Sequence, residues 1–198
     1  MKNILVTGGG GFIGSHTCLA LMEKGYNVYV IDSFVNSSPK SLKRVLDILG
    51  KSKHINPLNF KVFNIDLCNK DSIKKVFIEL NKLNKKIDGV IHFAGLKAVS
   101  ESVLNPLMYW RTNIFGTINL LEIMREFDCR NLVFSSSATV YKQNENSLIK
   151  EISELGPVNP YGNTKLTIEL IIKDLFKSVH NYWKFASLRY FNPIGAHE

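Results

Sequence analysis

The chain has 198 residues, 45% of them hydrophobic and 21% charged, an ordinary globular composition with enough apolar material for one well-filled domain. No apolar run approaches the roughly 20 residues of a membrane-spanning helix, and Met1–Lys2–Asn3 leads straight into Ile4–Leu5–Val6, too short a run for a signal-peptide core. The net charge of +8 comes from 25 Lys and Arg against 17 Asp and Glu, but only 5 of the 25 are Arg, the better base reader, and the lysines are spread over separate helical stretches. The charge therefore reads as a solvated surface and not as a nucleic-acid footprint.

The chain alternates short β-rich runs with longer helical ones. Asn3–Thr7 is a first strand, Phe12–Lys24 a helix ended by Gly25, and Val28–Asp32 a second strand. Pro39–Leu49 is a helix with Pro near its start and Gly50 past its end. Lys61–Ile65 is a third strand, Asp71–Leu83 a helix, and Asp88–Ala94 a fourth strand. Pro106–Phe127 is one long helix, Asn131–Ser136 a fifth strand, Tyr161–Val179 a long helix, and Phe185–Tyr190 a sixth strand expected at an open sheet edge. Lys51–Asn59 and Lys142–Pro160, with their prolines and Gly156, read as surface loops. The rhythm predicts an α/β, doubly wound parallel sheet of the Rossmann type, about six strands with helices on both faces.

Cys18, Cys68 and Cys129 are odd in number, widely spaced and without a CxxC pair. They predict free, buried or half-buried thiols in a reducing compartment, the cytoplasm, and neither a disulfide framework nor a metal site.

Thr7-Gly8-Gly9-Gly10-Gly11-Phe12-Ile13-Gly14 stands between the first strand and the first helix. In that context Gly8 permits the tight turn, Gly11 lets backbone approach a pyrophosphate, and Gly14 lets the helix lie close on the sheet. Phe12 and Ile13 open the helix, whose free N–H groups face the phosphates. Ser15 follows Gly14 where a nucleotide-triphosphate loop needs Lys. Asp32 ends the second strand, where a carboxylate accepts from an adenosine ribose and repels a 2′-phosphate, favouring NAD over NADP. Asp66, followed by Leu67, ends the third strand and reads equally as a helix cap or an adenine contact. Tyr161 and Lys165 are four residues apart, on one helix face. A neighbouring ammonium favours phenolate, so Lys165 is expected to lower the Tyr161 pKa and give a base usable near neutral pH.

With the Ser135-Ser136-Ser137 run, these features resemble the extended short-chain dehydrogenase/reductase superfamily. Longer strings are similar to UDP-glucose 4-epimerases: Gly-Phe-Ile-Gly-Ser-His-Thr-Cys through Cys18, Ile91 to Ser102, Phe134 to Tyr141, Pro160-Tyr161-Gly162 with Lys165, and Leu188 to Pro193. The resemblance covers the whole chain. It implies that Tyr161 takes the proton from a sugar 4-hydroxyl while the C4 hydride passes to NAD and returns on the other face. It implies that Ser137 hydrogen-bonds the reacting oxygen and that Lys165 also holds a cofactor ribose. Phe93, Ala94, Gly95, Lys97 and Asn113 match cofactor-lining positions, as does Asn36; Lys97, Ser137, Ala138, Thr139, Tyr161 and Asn192 fall on the substrate side. The implied substrates are UDP-glucose and UDP-galactose, and the implied assembly is a homodimer through the helices over Pro106–Phe127 and Tyr161–Val179. Dehydratases and decarboxylases of this fold carry an acidic residue just after the catalytic Ser or Thr, and Ala138 and Thr139 stand there instead. His16 and His92 read as structural, and Tyr190 and Phe191 as core.

Two departures stand out: Lys142 takes the place of the family's Gly, and the loop between the second and third strands is longer. Residues 1–198 are expected to form one NAD-binding domain, with the family's C-terminal substrate-binding portion absent from the chain. Two readings stand open, a UDP-glucose 4-epimerase and an NAD-binding module without turnover.

Overall fold

A computed structural model describes residues 1–50, 59–143, 148–178 and 182–197. Its six strands are β1 (Asn3–Thr7), β2 (Asn27–Asp32), β3 (Phe60–Asn64), β4 (Gly89–His92), β5 (Asn131–Ser137) and β6 (Lys184–Tyr190). They form one sheet in the order β3-β2-β1-β4-β5-β6, with every neighbouring pair parallel. This is the doubly wound Rossmann arrangement expected from the alternation. The strand order reverses between β1 and β4, so a crevice opens beyond their carboxyl ends. The helices are α1 (Phe12–Glu23), α2 (Pro39–Gly50), α3 (Lys70–Lys82), α4 (Val99–Leu104), α5 (Pro106–Tyr109), α6 (Gly116–Glu126) and α7 (Pro160–Ser178).

The period-two alternation of β1 and β2 feeds two cores. Leu5, Tyr29 and Ile31 pack with Phe77 of α3, Leu120 of α6 and Ile168 of α7. Val6, Val28 and Val30 pack on the other face with Cys18 and Met22 of α1 and Leu42 and Val45 of α2. The helices present matching stripes. In α3, Ile73, Val76, Phe77 and Leu80 are buried at helical spacing, and the Asn69 side chain caps the first turn by accepting from Ser72 N–H at 3.0 Å. At the sheet's edge, β6 leaves Lys184, Ala186, Ser187 and Leu188 exposed, as its position predicts.

Several expectations change. The stretch expected as one helix over 106–127 is helical to Glu126 but not one α-helix: α5 and α6 are joined by a π-helical turn, Trp110–Phe115. The short α4 occupies residues with no sequence signal, and β4 stops at His92, so Phe93 and Ala94 leave the sheet. The loop over 142–160 contains an antiparallel bridge between Tyr141 and Leu155 at its base. The loop over 51–59 lies outside the described residues except for Asn59, as do residues 144–147 of the second loop and the expected helix end at Val179. Cys18 and Cys129 are buried and Cys68 half-buried, all three free; burial pushes the Cys18 and Cys129 thiols up to about 12. Among the described residues no helix is long and apolar enough to cross a membrane. Among the described residues no cluster of His, Cys, Asp and Glu could hold a metal.

Candidate active site

The chain leaves β1 through Gly8, whose φ of +70° is natural to glycine. Its N–H donates to Ile31 O at 2.8 Å, and Gly11 N–H donates back to Gly8 O at 3.1 Å, closing the turn. A Cβ on Gly8 would lie 2.5 Å from Ala94 N, and one on Gly14 would lie 2.3 Å from Gly8 O. Both obstacles are backbone, so neither position admits a side chain. Gly11 differs: a Cβ there would meet only Gly8 O, at 3.3 Å, and would otherwise project into the crevice that Gly11 lines. The α1 N-terminus beside it has no side-chain cap and no acidic residue in its first turn. Its free N–H groups and positive dipole end fit a pyrophosphate, and a side chain on Gly11 would fill the place where one would sit.

Asp32 is buried at the end of β2 and holds the turn from the side. Its Oδ2 accepts from Gly10 N–H at 2.8 Å; its Oδ1 accepts from Phe34 N–H and from the Ser37 hydroxyl, each at 2.8 Å. One lone pair on Oδ2 is left for a ribose hydroxyl. Asp66 is not the α3 cap, a role that Asn69 fills; it accepts from Cys68 N–H at 2.8 Å and faces the crevice.

The crevice is a cavity of about 700 Å³, within the range of small-ligand sites. Its wall gathers Gly8, Gly11, Phe12, Ile13 and Gly14 from the turn, Asp32 and Asn36 beyond β2, and Asp66 and Leu67 beyond β3. Phe93, Ala94, Gly95 and Lys97 come from the segment after β4, and Ser137, Thr139, Tyr161, Lys165 and Asn192 close the far end. Two expected residues stand off the wall. Ala138 does not line the cavity. Asn113 is buried behind it, accepting from Leu96 N–H at 2.8 Å and donating to Leu96 O and Thr164 Oγ1, each at 3.1 Å. It braces the wall segment instead of forming it. Tyr190 and Phe191, expected in the core, line the cavity, and Phe191 is exposed, because β6 ends at the crevice mouth. His16 is exposed and bonds only its own helix, at Phe12 O.

At the far end the Ser137 hydroxyl oxygen accepts from Thr139 N–H at 3.2 Å and from the Thr139 hydroxyl at 3.0 Å, and Tyr161 lines the same end of the cavity. Burial raises the Tyr161 pKa, and the nearby Ser137 hydroxyl pulls it part of the way back. Lys165 is 5% exposed. Its Nζ donates to Ser135 O at 2.8 Å and lies 5.8 Å from the centre of the Tyr161 ring. Desolvation pushes its pKa down to about 8. The phenol therefore stands above its ordinary value, where the sequence led to the expectation of a lowered one, because burial outweighs what opposes it; the Lys165 ammonium is turned to the Ser135 carbonyl.

One network escaped the sequence reading. The Ser136 hydroxyl donates to Glu169 Oε1, and the Arg189 guanidinium grips the same carboxylate through Nε at 3.0 Å and Nη2 at 2.7 Å. Glu169 follows Lys165 by four on α7, a spacing that marks the shared face, but nothing local pairs it with a residue of β6.

The model of the family described as GDP-mannose 4,6 dehydratase matches residues 5–198. The chain belongs to that family. It is 50% identical over 196 residues to UDP-glucose 4-epimerase 2 of Arabidopsis thaliana, covering 99% of this chain and 53% of that protein. The UDP-glucose 4-epimerase of Bacillus subtilis is 49% identical over 194 residues, 98% of this chain and 53% of that one. The chain thus spans about half the length of the curated relatives it matches. A solved structure of UDP-glucose 4-epimerase from Bifidobacterium longum, in complex with NAD+ and UDP, superposes with a TM-score of 0.89 at 43% identity, over 100% of this chain and 55% of that one.

Proposed function

We propose that this chain is the cofactor-holding part of a UDP-glucose 4-epimerase, which interconverts UDP-galactose and UDP-glucose through a 4-keto sugar. The observation that carries the reading is the meeting of Ser137, Tyr161 and Lys165 on the wall of the same cavity that the Gly8–Gly14 turn lines. When bound, NAD supplies an acceptor that takes the sugar hydride and gives it back. The turn and the α1 N-terminus would hold its pyrophosphate, Asp32 its adenosine ribose, and Phe93, Ala94 and Gly95 would line its path. Tyr161 would hold and move the proton at its phenol oxygen, and Ser137, on the same stretch of wall, would hydrogen-bond the reacting sugar oxygen. Lys165 keeps a charge beside the phenol ring. Lys97, Thr139 and Asn192, at the outer wall, would meet the sugar nucleotide.

The family's description names a dehydratase, and water elimination needs a general acid beside the reacting sugar. Ala138 and Thr139 offer no carboxyl group there, which supports epimerisation. A homodimer belongs to the same proposal, supported by exposed Leu107, Phe115 and Leu170 on the two helical stretches. So does a cytoplasmic setting, supported by three free thiols.

The test is to supply NAD and UDP-galactose to the purified polypeptide and follow UDP-glucose. Tyr161→Phe is expected to bind NAD normally and to lose at least about 100-fold in turnover, the usual contribution of an acid–base group. Near-normal turnover in that variant would remove Tyr161 from the mechanism. A 4-keto-6-deoxy product would replace the epimerase with a dehydratase. NAD binding without turnover in the unaltered chain would favour the binding-module reading.

A further inference from the structure

Behind the cofactor wall a chain of buried polar groups crosses the molecule, and its direction is fixed by counting hydrogens. The Thr117 hydroxyl has one hydrogen, donated to Asn113 O at 2.6 Å. The same oxygen lies 2.9 Å from His92 Nε2, so toward His92 it can only accept, and Nε2 must carry the proton. Nδ1 of that ring is then an acceptor, and the Thr7 hydroxyl, 2.6 Å away, donates to it. Thr7 Oγ1 is left to receive Ala94 N–H at 3.4 Å. His92 is 1% exposed, and Thr7 and Thr117 are equally enclosed, so no solvent substitutes for any link.

We infer that His92 is a permanently neutral spacer in the Nε2–H form, and that Thr7, His92 and Thr117 are positioning residues that set the cofactor wall against the glycine turn. Each end of the chain sits on a part of the cavity. Thr7 precedes Gly8, and Ala94 N is the atom that a Cβ on Gly8 would strike. At the other end Asn113 grips Leu96 on both its N–H and its carbonyl. The ring thus joins the end of β1, the segment from Phe93 to Leu96 and the π-helical turn. Bonds in such a directed chain reinforce one another, because each donor is also an acceptor. An imidazolium could not take this place, since Nδ1–H would confront a hydroxyl whose own hydrogen has no other acceptor along the chain. Burial, and after it the nearby Lys165 ammonium, disfavour a charge on this ring as well.

The positioning role rests on the proposed NAD site; the tautomer does not. Label the chain with ¹⁵N-histidine and record multiple-bond ¹H–¹⁵N spectra at pH 7; with 5 histidines the ring patterns separate, and His92→Gln assigns the signal. His92 is expected in the Nε2–H form, and Thr117→Val, which removes the acceptor, is expected to shift the Nε2–H signal while leaving Nδ1 unprotonated, because Thr7 still donates to it. In parallel, titrate NAD into the unaltered chain, Thr7→Val and Thr7→Ser. Thr7→Val should weaken NAD about tenfold, and Thr7→Ser, which keeps the hydroxyl, should restore it. An Nδ1–H or doubly protonated His92 in the unaltered chain overturns the directed chain. Equal NAD affinity in Thr7→Val overturns the positioning role. If the unaltered chain binds no NAD, the proposed function fails, and the tautomer still decides the spacer.

Discussion

A lysine at 5% exposure, with one carbonyl at 2.8 Å, is costly to keep charged, and Lys165 shows the cost as a pKa pushed from the ordinary 10.5 to about 8. The sign of the pH dependence follows. Below about pH 8 the ammonium is charged in folded and unfolded chains alike, and the burial penalty is carried in full. Between about 8 and 10.5 the folded chain has released the proton while the unfolded chain still binds it, so stability rises with pH across that window. Lys165→Met removes the penalty but leaves Ser135 O without its donor. The variant is expected to be more stable at pH 7 by on the order of 2 kcal/mol, a gap that narrows as pH rises toward 10.5. Urea unfolding of both proteins at pH 7 and pH 10 checks it; a variant less stable at pH 7 would mean that the ammonium is better solvated than its geometry implies.

At the level of elements, α7 presents Tyr161, Lys165 and Glu169 at intervals of four, and the last of these fastens it to β6 through Arg189. Both side chains are largely enclosed, so Glu169→Ala leaves a cation with little solvent. A loss of about 3 kcal/mol is expected, with Glu169→Gln milder because it keeps an acceptor for Ser136 and Arg189. The midpoint of urea unfolding reads it, and an unchanged midpoint would show the pair to be ornamental. That pair also marks where sequence reading stops. The central strands were legible because β1 and β2 are apolar runs buried on both faces, and the turn because Gly8, Gly11 and Gly14 act within a few residues of one another. Tyr161 and Lys165 were legible for the same local reason. The π-helical turn was not: its extra residue per turn places Asn113 against Leu96 and Thr164, partners set by tertiary structure. α4, with only six residues and a single buried one, Ser102, carries no stripe to find. Tyr190 and Phe191 misled because aromatic character predicts burial, whereas their surroundings are set by a strand that ends at the crevice mouth.

At the scale of the whole molecule, the two cores share one sheet, and the cavity lies where that sheet's order reverses, so a ligand there touches segments from both halves of the chain. NAD should therefore stabilise the fold as a unit. At 100 times its dissociation constant it is expected to add about 2.7 kcal/mol to unfolding, with NADP adding much less because Asp32 repels a 2′-phosphate. Asp32→Gly should weaken NAD and shrink the difference between the two, as read by thermal unfolding with each nucleotide. An unchanged preference would leave Asp32 as a brace for the glycine turn alone, through its bonds to Gly10, Phe34 and Ser37. The link from Thr7 to His92 spans 85 positions. At about 5–20 residues per second, the ribosome makes Thr7 roughly 4–17 s before it makes the histidine that backs it. During that interval the nascent turn has no rear wall, and a nucleotide meeting it would find the phosphate donors without the surface that holds them still. Cofactor capture during synthesis must wait for the second half of the sheet.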